Sequence, residues 1–321
     1  MKRPLAAAGL LMIPMALLAI PVGGGPVTLP ATTAPRDAQD LAPFPTTVPD
    51  RTLRVLFIHH SCGGQLLAST GPSTEEGATC IYRTHPNGGG LRASLERSRY
   101  EVHEASYGSQ IGQNTELLDW LPKFRDRMET ILTTSHQDEA NSDARQNDIV
   151  VFKSCYTSND FTSEGAAPGD PLGPELTVWN AKAAFQALLG EFAMRPHVLF
   201  VHVTTPPLAP NVKPERLWKW MSRALTGKPH DTDRLLRRAA LARQWHDWVV
   251  RPDGWLGKGA PNNVVVFDYY DILTGRGRSS LSVFSTGEGH DSHPSTEGNQ
   301  LAAEAFLPLL NRAVHRAGLA H

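Results

Sequence analysis

The stretch Leu53-Arg54-Val55-Leu56-Phe57-Ile58-His59-His60-Ser61-Cys62-Gly63-Gly64-Gln65 organises the reading of this chain. Its first half, around Val55-Leu56-Phe57-Ile58, is a β-branched and aromatic apolar run without proline or glycine, which reads as a buried strand. The run stops abruptly at His59-His60-Ser61. Gly63 and Gly64 then allow a sharp turn and leave backbone N–H groups free to face a ligand. A serine at such a strand-to-loop switch lies at the carboxyl edge of a parallel sheet, where open α/β folds bind ligands. Ser61 is therefore a candidate nucleophile. The plainer alternative is a serine that caps the next helix.

Working outward, further short apolar runs occur at 100–105, 149–152, 198–203 and 264–267. Longer amphipathic segments lie between and after them, at 113–132, 178–194, 214–250 (broken near 227–229) and 295–317. Strands alternating with helices imply βαβ units. Near-continuous apolar strands imply a sheet covered on both faces. The expected fold class is α/β, a three-layer α/β/α sandwich with a flavodoxin-like, five-stranded parallel sheet. Functional groups then belong at the carboxyl ends of the strands. Those ends read His59-His60-Ser61, Ser106-Tyr107-Gly108-Ser109 with Gly112 beyond, Lys153 through Asp160, Thr204-Thr205-Pro206-Pro207, and Asp268-Tyr269-Tyr270-Asp271.

Before the last helix stands Asp291-Ser292-His293-Pro294-Ser295. A histidine fixed by a turn proline and flanked by a carboxylate has what a general base needs. The carboxylate can hold the ring tautomer and steady the imidazolium formed during proton transfer.

The chain has 321 residues, with Lys+Arg 31 against Asp+Glu 32 and a formal net charge of −1. This balance gives no general pull toward nucleic acid or an anionic surface. At 20% charged and 40% hydrophobic the composition is globular. Met1-Lys2-Arg3 followed by a nearly uncharged apolar stretch to Val22 has the layout of a secretory signal. The expected organisation is a signal segment (or membrane anchor) over 1–25, a flexible Pro/Thr/Ala-rich linker over 26–50 and one α/β domain over 51–321. Export would place the protein in the periplasm, cell envelope or extracellular space, with membrane contact only if the first segment stays as an anchor. Three cysteines remain, Cys62, Cys80 and Cys155. Either Cys62–Cys80 or Cys62–Cys155 could pair in an oxidising compartment, leaving one thiol over.

Four blocks in order, FIHHSCGG, EASYGS, VVFKSCYTSND and DSHPSTEGNQ, together resemble the SGNH (GDSL-like) hydrolase superfamily, in a bacterial branch with His-His-Ser in block one. The resemblance spans about residues 52–312. It implies the SGNH hydrolase fold and a serine esterase that needs no cofactor and no metal. It assigns Ser61 as nucleophile, His293 as general base and Asp291 as the nearest match to the orienting acid. The oxyanion hole would use Ser61, the Gly108 N–H and the Asn159 amide, with Gly112 competing for the glycine's role. The usual Asp-x-x-His spacing is here Asp-x-His, with His290 three positions before His293. His60 replaces the acid usual before the nucleophile.

His60 and Lys153 are further candidates for substrate binding; Lys153 is as well explained by an ion pair with Asp148 or Asp160. Adjacent histidines point opposite ways on an extended chain, which disfavours a metal at His59 and His60. Trp218, Trp220, Trp245, Trp248 and Trp255 could stack a sugar ring, though a packed core explains them more simply. The expected partner is a small-molecule or glycan ester, with no nucleic acid; the oligomeric state is not readable. The rivals are a non-catalytic glycan-binding or envelope-structural protein on the same fold, and a thiol enzyme using Cys62 or Cys155.

Overall fold

The run at 53–58 becomes the central strand of the sheet. A computed structural model describes residues 39–212, 217–227, 229–257 and 259–321. The signal or anchor expected over 1–25, and the linker as far as residue 38, lie outside the described residues. The strands are β1 (Leu53–Ile58), β2 (Tyr100–Ala105), β3 (Thr134–His136), β4 (Glu139–Ala140), β5 (Ile149–Lys153), β6 (Leu199–Val203) and β7 (Val264–Phe267). They form one sheet in the order β4-β3-β2-β1-β5-β6-β7. All neighbours are parallel except the β3–β4 edge hairpin.

The five expected strands are present and parallel. The sheet is nonetheless seven-stranded, because β3 and β4 extend it beyond β2. Thr134-Ser135-His136 and Glu139-Ala140 carry no apolar run, so nothing in their composition marks them as strands.

Helices cover both faces. They are α1 (Ser61–Leu67), α2 (Leu91–Arg97), α3 (Trp120–Thr133), α4 (Val178–Ala193), α5 (Leu217–Thr226), α6 (Asp231–Val250), α7 (Tyr269–Leu273) and α8 (Thr296–Arg316). Strand alternation divides the core in two. Leu56, Ile58, Val150 and Phe152 pack with α3, α4 and α6. Val55, Phe57, Ile149 and Val151 pack with α1, α2, α7 and α8. A strand buried on both faces needs apolar residues at every position, which is why these runs were visible. Among the described residues no helix is long and apolar enough to cross a membrane.

Residues 39–50, which composition assigns to the flexible linker, lie against the domain. Gln39 exchanges side-chain hydrogen bonds with the Val266 backbone, and the Arg312 guanidinium donates to the carbonyls of Leu41, Ala42 and Phe44. Leu41 is buried in the core beside α8. The tryptophans follow the core reading in part. Trp245 and Trp255 are fully enclosed, Trp248 is half-buried, and Trp218 stands 66% exposed on α5. The side chain of Trp220 lies outside the described residues.

Candidate active site

The strand order places a switch point at β1. From there the chain crosses to β2 on one side, and later to β5 on the other. Connections that leave the carboxyl ends of β1 and β5 in opposite directions open a crevice between them. Ser61 follows β1 at this crevice, and Cys155 follows β5.

Ser61 is the first residue of α1, with His60 at the N-cap position. It caps nothing: the residue in the capping position is His60, and its side chain makes no cap bond. The two glycines behind it serve close packing rather than ligand binding. A Cβ at Gly64 would stand 1.9 Å from the Cys80 carbonyl oxygen, and one at Gly63 would stand 2.3 Å from the His59 Cβ. Their N–H groups both donate to the His60 carbonyl, at 2.9 and 3.1 Å. The expectation that they face a ligand is therefore corrected. The unpaired first-turn N–H groups of the helix are those of Ser61 and Cys62, which have no carbonyl a turn below them.

His293 reaches this serine from the opposite end of the chain. The segment Asp291–Pro294 is a short strand paired antiparallel with Ser285–Thr286. On a strand, residues two apart point to the same side. Asp291 and His293 consequently share a face, which lets the Asp-x-His spacing bring carboxylate and ring together. His293 Nδ1–H donates to Asp291 Oδ1 at 2.7 Å, and His293 Nε2 accepts from Ser61 Oγ at 2.9 Å. The same Asp291 oxygen also accepts the His293 backbone N–H at 3.0 Å. Partial burial acts to raise the Asp291 carboxyl, but the His293 backbone and ring hydrogen bonds outweigh it and hold the group below its ordinary value. The Tyr156 ring packs edge-on against the imidazole at 5.2 Å and helps fix its orientation. Proline and serine after His293 end the strand and start α8, with the Ser295 hydroxyl capping the Gly298 N–H.

The donors expected on the other side of Ser61 are engaged elsewhere. Gly108 takes a positive φ of 88°, and its N–H donates to the Gln113 side-chain oxygen at 3.1 Å. Gly112 donates to Ser109 Oγ, and a Cβ there would collide with the Ser106 backbone. The loop carrying both glycines is clamped from behind by the buried Lys123 ammonium, which donates to the Ile111 and Gln113 carbonyls. Asn159 is fully buried. Its amide donates to the Pro206 carbonyl, while its Oδ1 accepts from Thr205 Oγ1 at 2.8 Å and from His246 Nε2 at 2.9 Å. The structure thus brings Ser61, His293 and Asp291 together and gives Asn159 and the Gly108 N–H other partners.

The two substrate-binding candidates are also corrected. The His60 ring stacks on Tyr107 with centroids 3.6 Å apart, and Nε2–H donates to the Gly112 carbonyl at 2.8 Å. Burial lowers its imidazole to about 4, so it is a neutral packing group tying β1 to the glycine loop. Lys153 is only 1% exposed, with its ammonium on the Ser154 carbonyl and over the Tyr269 ring. Neither expected partner reaches it: Asp148 pairs with Arg51 and Arg145, and Asp160 pairs with Arg238. His59 points the other way from His60, placing Nε2 2.9 Å from Glu104 Oε1, and Glu104 also pairs with Arg92.

Two further groups stand at this site. Cys155 Sγ lies 3.7 Å from Ser61 Oγ and 3.4 Å from Cys62 Sγ. Glu116, before α3, accepts from the Thr157 and Ser158 hydroxyls and so anchors the short 3-10 turn Tyr156–Asn159 beside His293. Cys155 was legible as a thiol past the end of a strand that could meet Cys62; Glu116 gave no signal.

No protein-family model matches the chain, and no curated protein matches it. Among solved structures it is similar to a carbohydrate esterase family 2 enzyme with a carbohydrate binding domain, from Corynascus thermopiles (Myceliophthora fergusii). The likeness covers 90% of this chain and 69% of that one, at 16% identity and a TM-score of 0.35. Likeness at that level fixes neither fold nor chemistry, so both rest on this chain's own geometry.

Proposed function

We propose that the protein is an exported serine esterase that hydrolyses an O-acyl ester, such as an O-acetyl group, carried by a carbohydrate or envelope glycan. The observation that carries this reading is the unbroken relay from Ser61 Oγ through His293 to Asp291, with links of 2.9 and 2.7 Å. Ser61 attacks the acyl carbon and passes its proton to His293 Nε2. Asp291 holds the Nδ1–H and steadies the imidazolium. His293 returns the proton to the departing sugar hydroxyl, then takes one from water to hydrolyse the acyl-enzyme. The Ser61 N–H, at the start of α1, supplies an oxyanion donor. Gly108 adds its N–H if Gln113 swings away on substrate binding, whereas Asn159 acts as scaffold. The glycan preference is supported by the secretion-like N-terminus and by the aromatic Tyr107 and Tyr156 at the site, since such rings suit a pyranose.

Hydrolysis of p-nitrophenyl acetate tests the reaction. Ser61→Ala should lower kcat by on the order of a thousandfold or more. Retention of wild-type activity in that variant would remove Ser61 from its role. Release of acetate from acetylated polysaccharides, compared with aryl esters, tests the substrate class.

A further inference from the structure

Cys62 and Cys155 lie just past the ends of neighbouring strands, β1 and β5, which pair through Ile58 and Phe152. Both side chains are buried, and their sulfurs lie 3.4 Å apart with both thiols free. A disulfide needs about 2.0 Å, so closure asks for roughly 1.4 Å of approach. Cys80, the third thiol, sits in the loop before α2 and is free and half-buried.

The charge around the pair is unusual. Among the described residues the buried Lys153 ammonium meets a carbonyl and an aromatic face, but no carboxylate. A buried cation calls for an anionic neighbour. The Cys62 hydrogen bond lowers the Cys155 thiol well below its ordinary value against the opposing effect of burial, and Lys153 lowers it further. Burial pushes Cys62 the other way. Negative charge on the reduced pair is thus favoured on Cys155, whose sulfur lies 3.7 Å from Ser61 Oγ and can accept its hydrogen bond in place of His293. Charge there opposes the oxyanion that forms on acyl transfer.

We propose that Cys62 and Cys155 are an oxidisable dithiol site beside the nucleophile, and that closing their disulfide brings Ser61 to full activity. The second half of this rests on the serine esterase reading above. Oxidation by a small disulfide such as oxidised glutathione balances simply. The Cys155 thiolate, the more accessible sulfur, attacks the oxidant and expels one glutathione thiolate. The Cys62 sulfur then displaces the second glutathione and gives up its proton to it. Two electrons pass to the oxidant, one S–S bond breaks and one forms. The closed disulfide bears no charge, so the Lys153 field falls on the oxyanion instead of on a thiolate. A protein exported from a reducing to an oxidising compartment would thus become active on arrival.

The full chain, reduced or treated with oxidised glutathione, is alkylated under denaturing conditions and mapped by peptide mass. Three thiols should react before oxidation and one, Cys80, after it. On p-nitrophenyl acetate, kcat/KM should rise about tenfold or more on oxidation, the scale of one nearby charge in a partly screened site. Cys155→Ser and Cys62→Ala should each abolish the redox response, so a folding failure in one leaves the other to decide. Cys80→Ser should keep the response. Three reactive thiols after oxidation, or a cross-link that includes Cys80, overturns the site. Equal activity in both forms, or higher activity when reduced, overturns its coupling to Ser61. Ester hydrolysis absent from both forms overturns the serine reading and the coupling with it, while the thiol count still decides the dithiol.

Discussion

The wall that carries His293 and the wall that carries Gly108 and Asn159 meet at Ser61, and they use their polar groups in different ways. On the first, the working atoms are partly open to solvent. The Asp291 side chain is 49% exposed and His293 23%, and each spends its hydrogen bonds on its neighbour in one relay. On the second, Asn159 is buried and the Gly108–Gln113 bond is exposed, but both groups are spent on neighbours within the wall. Asn159 binds Pro206, Thr205 and His246, while the Gly108 loop is held by Gln113 and Lys123. The first wall can move a proton; the second holds strand ends in place. A serine set between them has His293 within hydrogen-bond reach and the start of α1 beneath it.

The largest effect that would sharpen this contrast is expected on the relay. Asp291→Asn keeps the shape but presents an amide to His293 Nδ1, so the ring loses both its tautomer bias and its counter-charge. A fully buried aspartate in such a relay is worth about four orders of magnitude; half-exposed Asp291 should cost about a hundredfold in kcat/KM, with KM little changed. The steady-state rate on p-nitrophenyl acetate checks it. A loss under about threefold would mean that His293 is oriented by other contacts, such as the Tyr156 edge, and that the first wall is a pair rather than a relay.

How much of this could be read from the residues follows from the range of the contacts involved. Strands β1, β5, β6 and β7 were legible because burial on both faces forces a nearly unbroken apolar run, whereas β2 interleaves Glu101, His103 and Glu104. The edge strands β3 and β4 were not, since edge pairing imposes no such pattern on Thr134–His136 or Glu139–Ala140. Asp291 and His293 are two residues apart, so their partnership is a local matter once a strand is formed there. Asn159 is different. Its amide direction is set by Pro206 and Thr205 after β6 and by His246 on α6, side chains that no local pattern links to it. The same holds for Gly108, whose N–H is claimed by Gln113 through a turn that the spacing alone does not specify. Lys153 also misled, because an apolar strand ending in lysine normally releases the charge to solvent, and here the strand end is covered.

A smaller effect tests the second wall. Asn159→Ala should leave the Pro206 carbonyl without its donor in a buried site and strip one hydrogen bond each from Thr205 Oγ1 and His246 Nε2, which keep each other at 2.9 Å. Unsatisfied groups of this kind cost about 1–3 kcal/mol. For a domain of this size that corresponds to a melting temperature lower by about 2–4 °C per kcal/mol. Catalysis by the folded fraction should fall less than about tenfold. Thermal unfolding and kcat measured on the same sample separate the two. A fall of a hundredfold or more at an unchanged melting temperature would turn Asn159 into an oxyanion donor and break the contrast between the walls.

The smallest effect concerns the charge on Asp291. Its folded-state carboxyl is held below the ordinary value by the His293 hydrogen bonds, against the burial that opposes them. A depressed carboxyl contributes stability that is fully present above the unfolded value, near about 3.9, and that is lost as pH falls through the folded value. Wild type should therefore lose slightly more stability than Asp291→Asn as pH is lowered from about 5 into the range below 3.9. With the carboxylate half exposed, screening keeps this to about a degree in melting temperature. Parallel melts across that window check the sign. A mutant that instead loses more than wild type on acidification would show that the folded state does not favour the charged form of Asp291, and that His293 holds it less firmly than the 2.7 Å contact implies.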